Sequence, residues 1–385
     1  MKNRIFFALL TAIVLNLHSA SNASEVSREN ALKATSAAVL PAMEKNQIPG
    51  IAVGLVIGEK TYIFNYGMME AEEKQAVKDS TIFEIGSISK TFTATLASYA
   101  EAAGKLQLSG TIAKHLPELA GSNFGELQLI HLGTHTTGGM PLQVPDEIQN
   151  KEQLLEYFRN WKPEYKAGTV RTYANPSIGT LGWIAAESLG QDFSVAVNQN
   201  IFQPLGLENS YFIVPAHKMK SYAWGYTRDK KPVRVNPGLL DFEAYGIKTT
   251  ATDLATFLKA NMGMLSLDKK LQEALRNTRK GYFKVGEMTQ DLIWEEYAMP
   301  VSLQALQEGS SSTLILNSTP VSANIPPTAP LNNVWVNKTG STNGFGAYVA
   351  FVPEKRFGIA ILANKNYPNA DRIEIAQRIY KALYR

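Results

Sequence analysis

Residues Ala347–Leu362 read AYVAFVPEKRFGIAIL, two apolar runs joined by the polar turn Pro353–Arg356. Apolar runs rich in aromatic and β-branched residues on either side of a short turn predict two paired strands. Val334–Lys338, just upstream, has the same character. Near the other end of the chain, Gly50–Ile57 (GIAVGLVI) and Thr61–Tyr66 (TYIFNY) predict a second strand pair. The sequence therefore predicts one antiparallel sheet built from both chain ends.

Helical patterns fill the region between these strand groups and also flank them. The apolar spacing of a helix occurs in Val26–Glu44, Ser87–Gly104, Lys151–Trp161, Ile178–Leu189, Thr252–Met262, Lys269–Arg276 and Arg372–Tyr384. Two long segments, Pro204–Gly246 and Gly309–Asn333, carry little regular pattern, and such loops often border a functional site. We expect an α/β protein of the α+β kind, with a sheet region from about 24–80 and 285–385 and a mostly helical region inserted.

The composition excludes several kinds of chemistry. The 385 residues contain no cysteine, and 38 Lys and Arg stand against 34 Asp and Glu. Disulfides, cysteine nucleophiles, thiolate metal sites and lipid-modified cysteine anchors are therefore excluded. Covalent catalysis would have to use Ser, Thr, Lys, Tyr or a carboxylate. The net charge of +4 is too small to argue for nucleic acid or a membrane surface as a partner.

The first 23 residues have the pattern of a secretory signal peptide. Lys2 and Arg4 give a positive start, Ile5–Leu17 is apolar, and Ser21–Ala23 fits a small-x-small cleavage site. A transmembrane anchor, the alternative, needs about 20 apolar residues, and this run is shorter. We therefore expect cleavage after Ala23, a mature domain of residues 24–385, and an exported product without a membrane anchor.

The stretch Phe83–Lys90 (FEIGSISK) opens an apolar helix and places Ser87 near its start. Lys90, three residues later, shares a helical face with Ser87. A serine hydroxyl needs a base beside it, and a lysine amine can serve when its pKa is lowered. The helix N-terminus offers N–H donors to a developing oxyanion. The same Ser-x-x-Lys spacing at residues 266–269 predicts an ordinary helix start, so the motif alone is not specific.

Two further motifs follow in the chain. Tyr173-Ala174-Asn175 offers a phenol, which nearby cations can turn into a general base, and an amide with donors and an acceptor. Lys338-Thr339-Gly340 ends a predicted strand; its Lys and Thr can meet a substrate carboxylate, and its Gly leaves room for close backbone contact. The ordered set of three motifs is far more specific than any one of them.

Ser-x-x-Lys with Ser-Asp-Asn and Lys-Thr-Gly is typical of class A β-lactamases and penicillin-binding proteins, but this chain has Tyr-Ala-Asn in the second motif. Over nearly all of the predicted mature chain it resembles instead the class C β-lactamases, the periplasmic cephalosporinases. The resemblance extends to five longer segments: residues 141–147 (PLQVPDE), 234–238 (RVNPG), 243–246 (EAYG), 344–353 (GFGAYVAFVP) and 362–369 (LANKNYPN).

This resemblance implies a β-lactamase/transpeptidase-like fold and specific catalytic roles. Ser87 would be the acylated nucleophile and Lys90 its hydrogen-bonded partner. Tyr173 would be the general base, held as a phenolate with the help of Lys338. The backbone N–H groups of Ser87 and Ser341 would form the oxyanion hole.

The resemblance also implies a set of substrate contacts and a simple enzyme. The contacts would be Gln143, Asn175, Tyr245, Thr339, Gly340, Ser341, Asn366, Asn369 and Arg372. The expected product is a periplasmic monomer that needs neither metal nor cofactor and hydrolyses the β-lactam ring of antibiotics, cephalosporins preferred. One departure is Asn337, where many class C members have His; an amide there cannot carry a proton.

Two other functions stay open: another enzyme on the same fold, and a protein of another class, a non-catalytic β-lactam sensor or cell-wall binding module. A D-Ala-D-Ala carboxypeptidase or an esterase shares Ser-x-x-Lys and Tyr-x-Asn, although Lys-Thr-Gly and the C-terminal match favour the lactamase. A non-catalytic β-lactam sensor would retain the acyl group. Such a sensor usually carries a membrane helix or an output domain, and the sequence suggests neither.

Two other sequence patterns give little indication of a functional site. His131 and His135 are four residues apart, as metal ligands on a helix can be, but Thr136–Gly139 ends the helix at once and we expect no metal site. A basic cluster is expected to be a solvated loop face that could also attract anionic substrates. It consists of Lys218, Lys220, Arg228, Lys230, Lys231 and Arg234.

Overall fold

The structure, a computed structural model, describes residues 26–236 and 238–384, so the predicted signal peptide lies outside the described residues. In this part of the chain, ten strands form one antiparallel sheet. Its order is Ser322–Thr328, Gly281–Val285, Met288–Gln290, Glu295–Ala298, Val334–Ser341, Gly346–Val352, Phe357–Ala363, Gly50–Ile57, Lys60–Glu70 and Gln75–Ala76. The strand Gly50–Ile57 pairs with Phe357–Ala363, which confirms a sheet built from both chain ends.

The central strands are buried on both faces, and the two sets of side chains belong to two cores. On one face, Ile51, Val53 and Leu55 pack in a core with Ile373 and Ile379 of the C-terminal helix. On the other face, side chains such as those of Val349, Phe351, Ala360 and Leu362 join the core of the helical region. This two-sided burial explains why these strands are continuous apolar runs. Each fully buried large apolar side chain contributes about 1.5–3 kcal/mol.

Helices cover both faces of the sheet. Among the described residues they span Arg28–Asn46, Ser89–Ala102, Leu129–Gly133, Lys151–Asn160, Asn175–Ser188, Phe193–Val197, Gln203–Leu205, Asp241–Ala244, Ala251–Asn261, Lys269–Asn277, Leu303–Gly309, Ser312–Leu316 and Asn369–Leu383. Side-chain oxygens cap several helix starts, as Asn150, Thr250 and Asp268 do. All seven predicted helices are present, with ends that differ by at most three residues. None of the described helices is both long and apolar enough to cross a membrane.

The two segments predicted to be irregular contain short regular elements. Pro204–Gly246 includes the strands Gly225–Tyr226 and Pro232–Val233, which pair with each other. The prediction is wrong for Gly309–Asn333, because Ser322–Thr328 is the outermost strand of the sheet. The prolines of this segment argued against a strand at the level of sequence. They are tolerated here because an edge strand leaves some N–H positions unpaired.

Asn364 joins three parts of the fold through one buried amide. Its Oδ1 accepts a hydrogen bond from the Gly50 N–H at 2.7 Å. Its Nδ2 donates to the carbonyl oxygens of Met68 at 3.0 Å and Trp224 at 3.0 Å. The side chain therefore ties the end of one central strand to the neighbouring strand and to the long segment beyond it.

We expect Asn364→Ala to lower the free energy of unfolding by about 3 kcal/mol, because it leaves several buried backbone groups without partners. Urea unfolding monitored by circular dichroism measures the change. Asn332→Ala is the matched control: Asn332 is exposed, and its substitution should change stability by less than about 0.5 kcal/mol. Equal stabilities of the two variants would contradict this role of Asn364.

Candidate active site

Ser87 lies in a tight turn, Gly86–Ile88, that leads directly into the helix Ser89–Ala102. This turn packs against the end of the strand Val334–Ser341. A Cβ at Gly86 would lie 2.5 Å from the Ser341 nitrogen, and a Cβ at Gly340 would lie 2.0 Å from the Ile85 carbonyl oxygen. Two glycines thus allow the backbone of the Ser87 turn and the end of this strand to approach each other closely.

Lys90 is completely buried beneath Ser87. Its Nζ donates to Ser87 Oγ at 2.9 Å and to the Ala244 carbonyl oxygen at 2.8 Å. Burial lowers the pKa of Lys90 to about 8, and the charge of Lys338 acts in the same direction. An amine with this pKa can lose or regain a proton near neutral pH.

Tyr173 lies between the strand Val170–Arg171 and the helix Asn175–Ser188, with its ring surrounded by cations. The ring centroid is 5.3 Å from Lys90 Nζ, 5.1 Å from Lys338 Nζ and 5.4 Å from Arg171 Cζ. Burial alone would raise the pKa of the phenol. The charges of Lys338 and Lys90 and a hydrogen bond with Ser87 outweigh burial and lower that pKa to about 8.

A buried carboxylate that sequence reasoning missed stands beside these cations. Glu295 Oε1 accepts from Arg171 Nη2 at 3.2 Å and lies 3.9 Å from Lys338 Nζ. Arg171 is fixed further by a 2.7 Å bond from its Nε to Gln290 Oε1. In the sequence, the dipeptide Glu295-Glu296 looks like polar surface. Because consecutive strand residues point to opposite faces, the sequence did not indicate that one of the two carboxylates would face a site.

Ser87, Tyr173, Lys338 and Glu295 line one cavity of about 760 Å³. Of the predicted site residues, it is lined by Ser87, Gln143, Tyr173, Asn175, Tyr245, Lys338, Thr339, Gly340, Ser341, Asn366 and Asn369. Glu295 also lines it. Lys90 lies behind Ser87 and Arg372 lies behind the strand end, and neither lines the cavity.

Arg372 lies behind the cavity wall and hydrogen-bonds residues that line it. It is fully buried; its Nη1 donates to the Gly340 carbonyl oxygen at 2.7 Å and to Ser341 Oγ at 2.9 Å, and its Nη2 donates to Asn366 Oδ1 at 2.8 Å. The geometry therefore shows a residue that holds the strand end in place. Asn369, at the cavity rim, donates to the Ser310 carbonyl oxygen at 3.1 Å.

Two amide side chains on the cavity wall are paired with each other. Asn175 Nδ2 donates to Gln143 Oε1 at 2.9 Å, while Asn175 Oδ1 is buried and has no partner. A buried acceptor without a partner is costly unless a ligand supplies a donor. The arrangement therefore suits a ligand that carries an N–H group.

Asn337 does not line the cavity. Its Nδ2 donates to the Glu295 carbonyl oxygen at 2.9 Å, and its Oδ1 accepts from the Tyr348 hydroxyl at 2.9 Å. The residue that departs from the class C pattern is thus a neutral bridge within the sheet.

The two histidines have separate surroundings. His131 Nδ1 is hydrogen-bonded to Thr136 Oγ1 at 2.9 Å. His135 lies beyond the end of its helix, with a φ of 58°, and its ring centroid is 4.3 Å from that of Tyr173. Among the described residues, no three His, Cys, Asp or Glu side chains are grouped to hold a metal ion.

The fold, with a serine, a buried lysine and a tyrosine close together at one cavity, is typical of a serine hydrolase. The chain matches the β-lactamase family over residues 35–384. It is 48% identical to a β-lactamase from Pseudomonas fluorescens, over 90% of this chain and 96% of that protein.

Solved structures agree. A β-lactamase/D-alanine carboxypeptidase from Pseudomonas syringae superposes with a TM-score of 0.90 at 49% identity, over 91% of this chain and 98% of that one. A class C β-lactamase from Rhodobacter sphaeroides superposes with a TM-score of 0.88 at 42% identity, over 91% and 99%. The chain therefore belongs to the β-lactamase family, and within it to the class C serine β-lactamases, which confirms the resemblance seen in the sequence.

The lowered phenol pKa can be tested by ultraviolet titration. In the wild type, we expect one tyrosine to ionise near pH 8, and this step should be absent in Tyr173→Phe. Lys338→Met should raise the pKa of Tyr173 toward its ordinary value of about 10, because it removes the largest charge that lowers it. A wild type in which no tyrosine ionises below pH 9 would contradict this electrostatic account.

Proposed function

We propose that the protein hydrolyses the β-lactam ring of antibiotics, with cephalosporins preferred, through an acyl-enzyme on Ser87. One observation carries the proposal. The Ser87 hydroxyl accepts a hydrogen bond from Lys90 at 2.9 Å, beside a tyrosine whose pKa is lowered to about 8, at the wall of a cavity large enough for a small molecule. A nucleophile next to a base with a pKa near neutrality is what acyl transfer requires.

In the acylation step, Ser87 Oγ attacks the lactam carbonyl carbon while its proton passes to the Tyr173–Lys90 pair. The carbonyl oxygen becomes an oxyanion, which the N–H groups of Ser87 and Ser341 would stabilise. When the oxyanion collapses, the ring C–N bond breaks and the ring nitrogen takes a proton from the same pair. The product is an ester on Ser87; the serine proton is now on the ring nitrogen, and the Tyr173–Lys90 pair is back in its starting protonation state.

In the deacylation step, a water molecule attacks the ester carbonyl and gives its proton to Tyr173. The Ser87–acyl bond then breaks, Ser87 Oγ regains a proton, and the ring-opened acid leaves. Lys338 supports both steps because its charge favours the phenolate form of Tyr173. Since Lys90 and Tyr173 influence each other, they titrate as a coupled pair.

Substrate recognition would use the cavity wall. Lys338 and Thr339 would meet the ring carboxylate, and the Gln143–Asn175 pair would meet the side-chain amide of the antibiotic. The unpartnered Asn175 Oδ1 supports this assignment, since an amide N–H would satisfy it. Tyr245 and Asn366 would border the ligand on the remaining sides.

The proposal includes the setting in which the enzyme works. Removal of residues 1–23 would release a monomeric enzyme into the periplasm, where it meets antibiotics on their way to the cell wall. The chemistry above uses side chains and backbone groups of this chain and calls for no metal or cofactor.

A second candidate is D-alanine carboxypeptidase activity, since the relative from Pseudomonas syringae is described by both activities. Such an enzyme would acylate Ser87 with the same groups. The two functions differ in the lifetime of the β-lactam acyl-enzyme, which is long in a peptidase and in a non-catalytic sensor.

We expect Ser87→Ala to lower the turnover of a chromogenic cephalosporin by about 10⁴-fold or more, because the nucleophile is lost while the fold is kept. Ser266→Ala is the matched control, since Ser266 is an exposed serine in the other Ser-x-x-Lys segment. It should retain full activity. Retained turnover in Ser87→Ala would contradict the assignment of the nucleophile.

Intact-mass spectrometry after mixing with a cephalosporin separates the lactamase from its rivals. The wild type should show an adduct of one acyl group that disappears as the substrate is consumed. Tyr173→Phe should react about 10²–10⁴-fold more slowly, because the general base is lost. An adduct that persists in the wild type after the substrate is exhausted would favour a peptidase or a sensor instead.

A further inference from the structure

Glu84 is a buried carboxylate three residues before Ser87 that lies outside the catalytic cavity. It sits in the short strand Phe83–Glu84, which pairs with Lys248–Thr249, and its exposed fraction is 1%. Its Oε1 accepts from the Tyr222 hydroxyl at 2.6 Å and from the Val235 N–H at 2.8 Å. Its Oε2 accepts from Thr342 Oγ1 at 2.5 Å. Three separate segments therefore converge on one carboxylate.

Two of the three partners line the cavity. Val235 belongs to the rim segment, which we define as Arg234–Asn236, and Thr342 belongs to the strand end, defined as Ser341–Asn343. The Ser341 nitrogen packs against Gly86, so a displacement of the strand end is felt at the Ser87 turn. Glu84 thus connects the rim segment to the strand end from behind the cavity wall.

The third partner anchors the rim segment. The Arg234 guanidinium lies 4.0 Å from the ring centroid of Tyr222 and 4.1 Å from that of Trp224, and its Nε donates to the Ala223 carbonyl oxygen at 3.2 Å. Arg234 is therefore half-buried between two rings, unlike the solvated face expected for the basic cluster. Burial and the adjacent Glu84 charge raise the pKa of Tyr222, which keeps its hydroxyl protonated as a donor.

The contacts of Glu84 are directional. Hydrogen bonds to a carboxylate are shorter and roughly twice as strong as those between neutral groups. A single rigid carboxyl group that accepts from both sides fixes the spacing between them, because neither partner can move away without leaving a buried oxygen unsatisfied. The width of this end of the cavity then depends on Glu84.

We propose that Glu84 is a positioning residue that sets the gap between the rim segment and the strand end, and so determines which acylamino side chains of β-lactams the enzyme accepts. The inference rests on the proposed β-lactamase function. A narrow gap makes close contact with a small side chain and excludes a bulky one. A gap that is free to widen makes weaker contact with a small side chain and admits a bulky one more readily.

The test compares two cephalosporins that share the same ring substituents but carry a small or a bulky acylamino group. For Glu84→Gln, kcat/KM for the small compound should fall by about tenfold or more, while kcat/KM for the bulky compound should change less. Displacements of about 1 Å can cost up to about a hundredfold in rate. The ratio of the two kcat/KM values is independent of the fraction of folded enzyme, so a merely structural role would not move it.

Thr342→Val is the second variant, because it removes one donor to Glu84 at the end of a strand and leaves the carboxylate in place. It should shift the ratio in the same direction as Glu84→Gln. Glu59→Gln is the matched control: Glu59 is an exposed partner of Arg356 in a turn outside the site, and its substitution should leave the ratio unchanged.

The outcomes separate this inference from the proposed function. A wild type that hydrolyses both compounds, with ratios in Glu84→Gln and Thr342→Val within twofold of the wild-type value, would overturn the positioning role. A wild type that hydrolyses neither compound contradicts the proposed function and this inference with it. A shifted ratio in both variants, with an unchanged ratio in Glu59→Gln, supports the positioning role.

Discussion

The site depends on an excess of buried positive charge around one phenol. Lys90, Lys338 and Arg171 bring three cations close to Tyr173, while Glu295 supplies one carboxylate, 3.2 Å from Arg171 and 3.9 Å from Lys338. As long as the phenol is neutral, the positive charges outnumber the negative ones in a region shielded from water. For Lys90, burial and then the charge of Lys338 lower the pKa to about 8; for Tyr173, burial raises the pKa, but the charges of Lys338 and Lys90 outweigh it and lower the pKa to about 8.

Because like charges repel, a rigid fold is needed to hold these side chains close together. The four charged groups come from separate parts of the chain. Lys338 and Glu295 lie on adjacent strands of the central sheet, Arg171 lies on a separate short strand, and Lys90 lies on the helix Ser89–Ala102. Glu295 and Asn337 are opposite each other on adjacent strands, and the Nζ of the next residue, Lys338, lies 3.9 Å from the Glu295 carboxylate. With no cysteine in the chain, this rigidity comes from packing and hydrogen bonds, such as those of Asn364, and not from disulfides.

Elements with a regular apolar pattern could be predicted from the sequence, whereas residues whose role depends on contacts with distant parts of the chain could not. Central strands such as Phe357–Ala363 were predictable because burial on both faces makes them continuous apolar runs. Met288–Gln290 and Glu295–Ala298 were missed because they are short and contain polar residues such as Gln290 and Glu295. Glu295 and Glu84 were not predicted as buried residues, since an acidic residue in a short strand looks like surface in the sequence until the fold places donors around it.

Buried charged side chains also hold the irregular segment Pro204–Gly246 over the cavity. Lys90 donates to the Ala244 carbonyl oxygen, Lys248 donates to two carbonyl oxygens of the segment, and Glu84 accepts from the Val235 N–H. Hydrogen bonds of this kind weaken when the charged partner becomes neutral. Loss of the Lys90 proton in the proposed acyl transfer would therefore weaken the hydrogen bond to the Ala244 carbonyl oxygen, which links the protonation state of Lys90 to the position of the cavity wall.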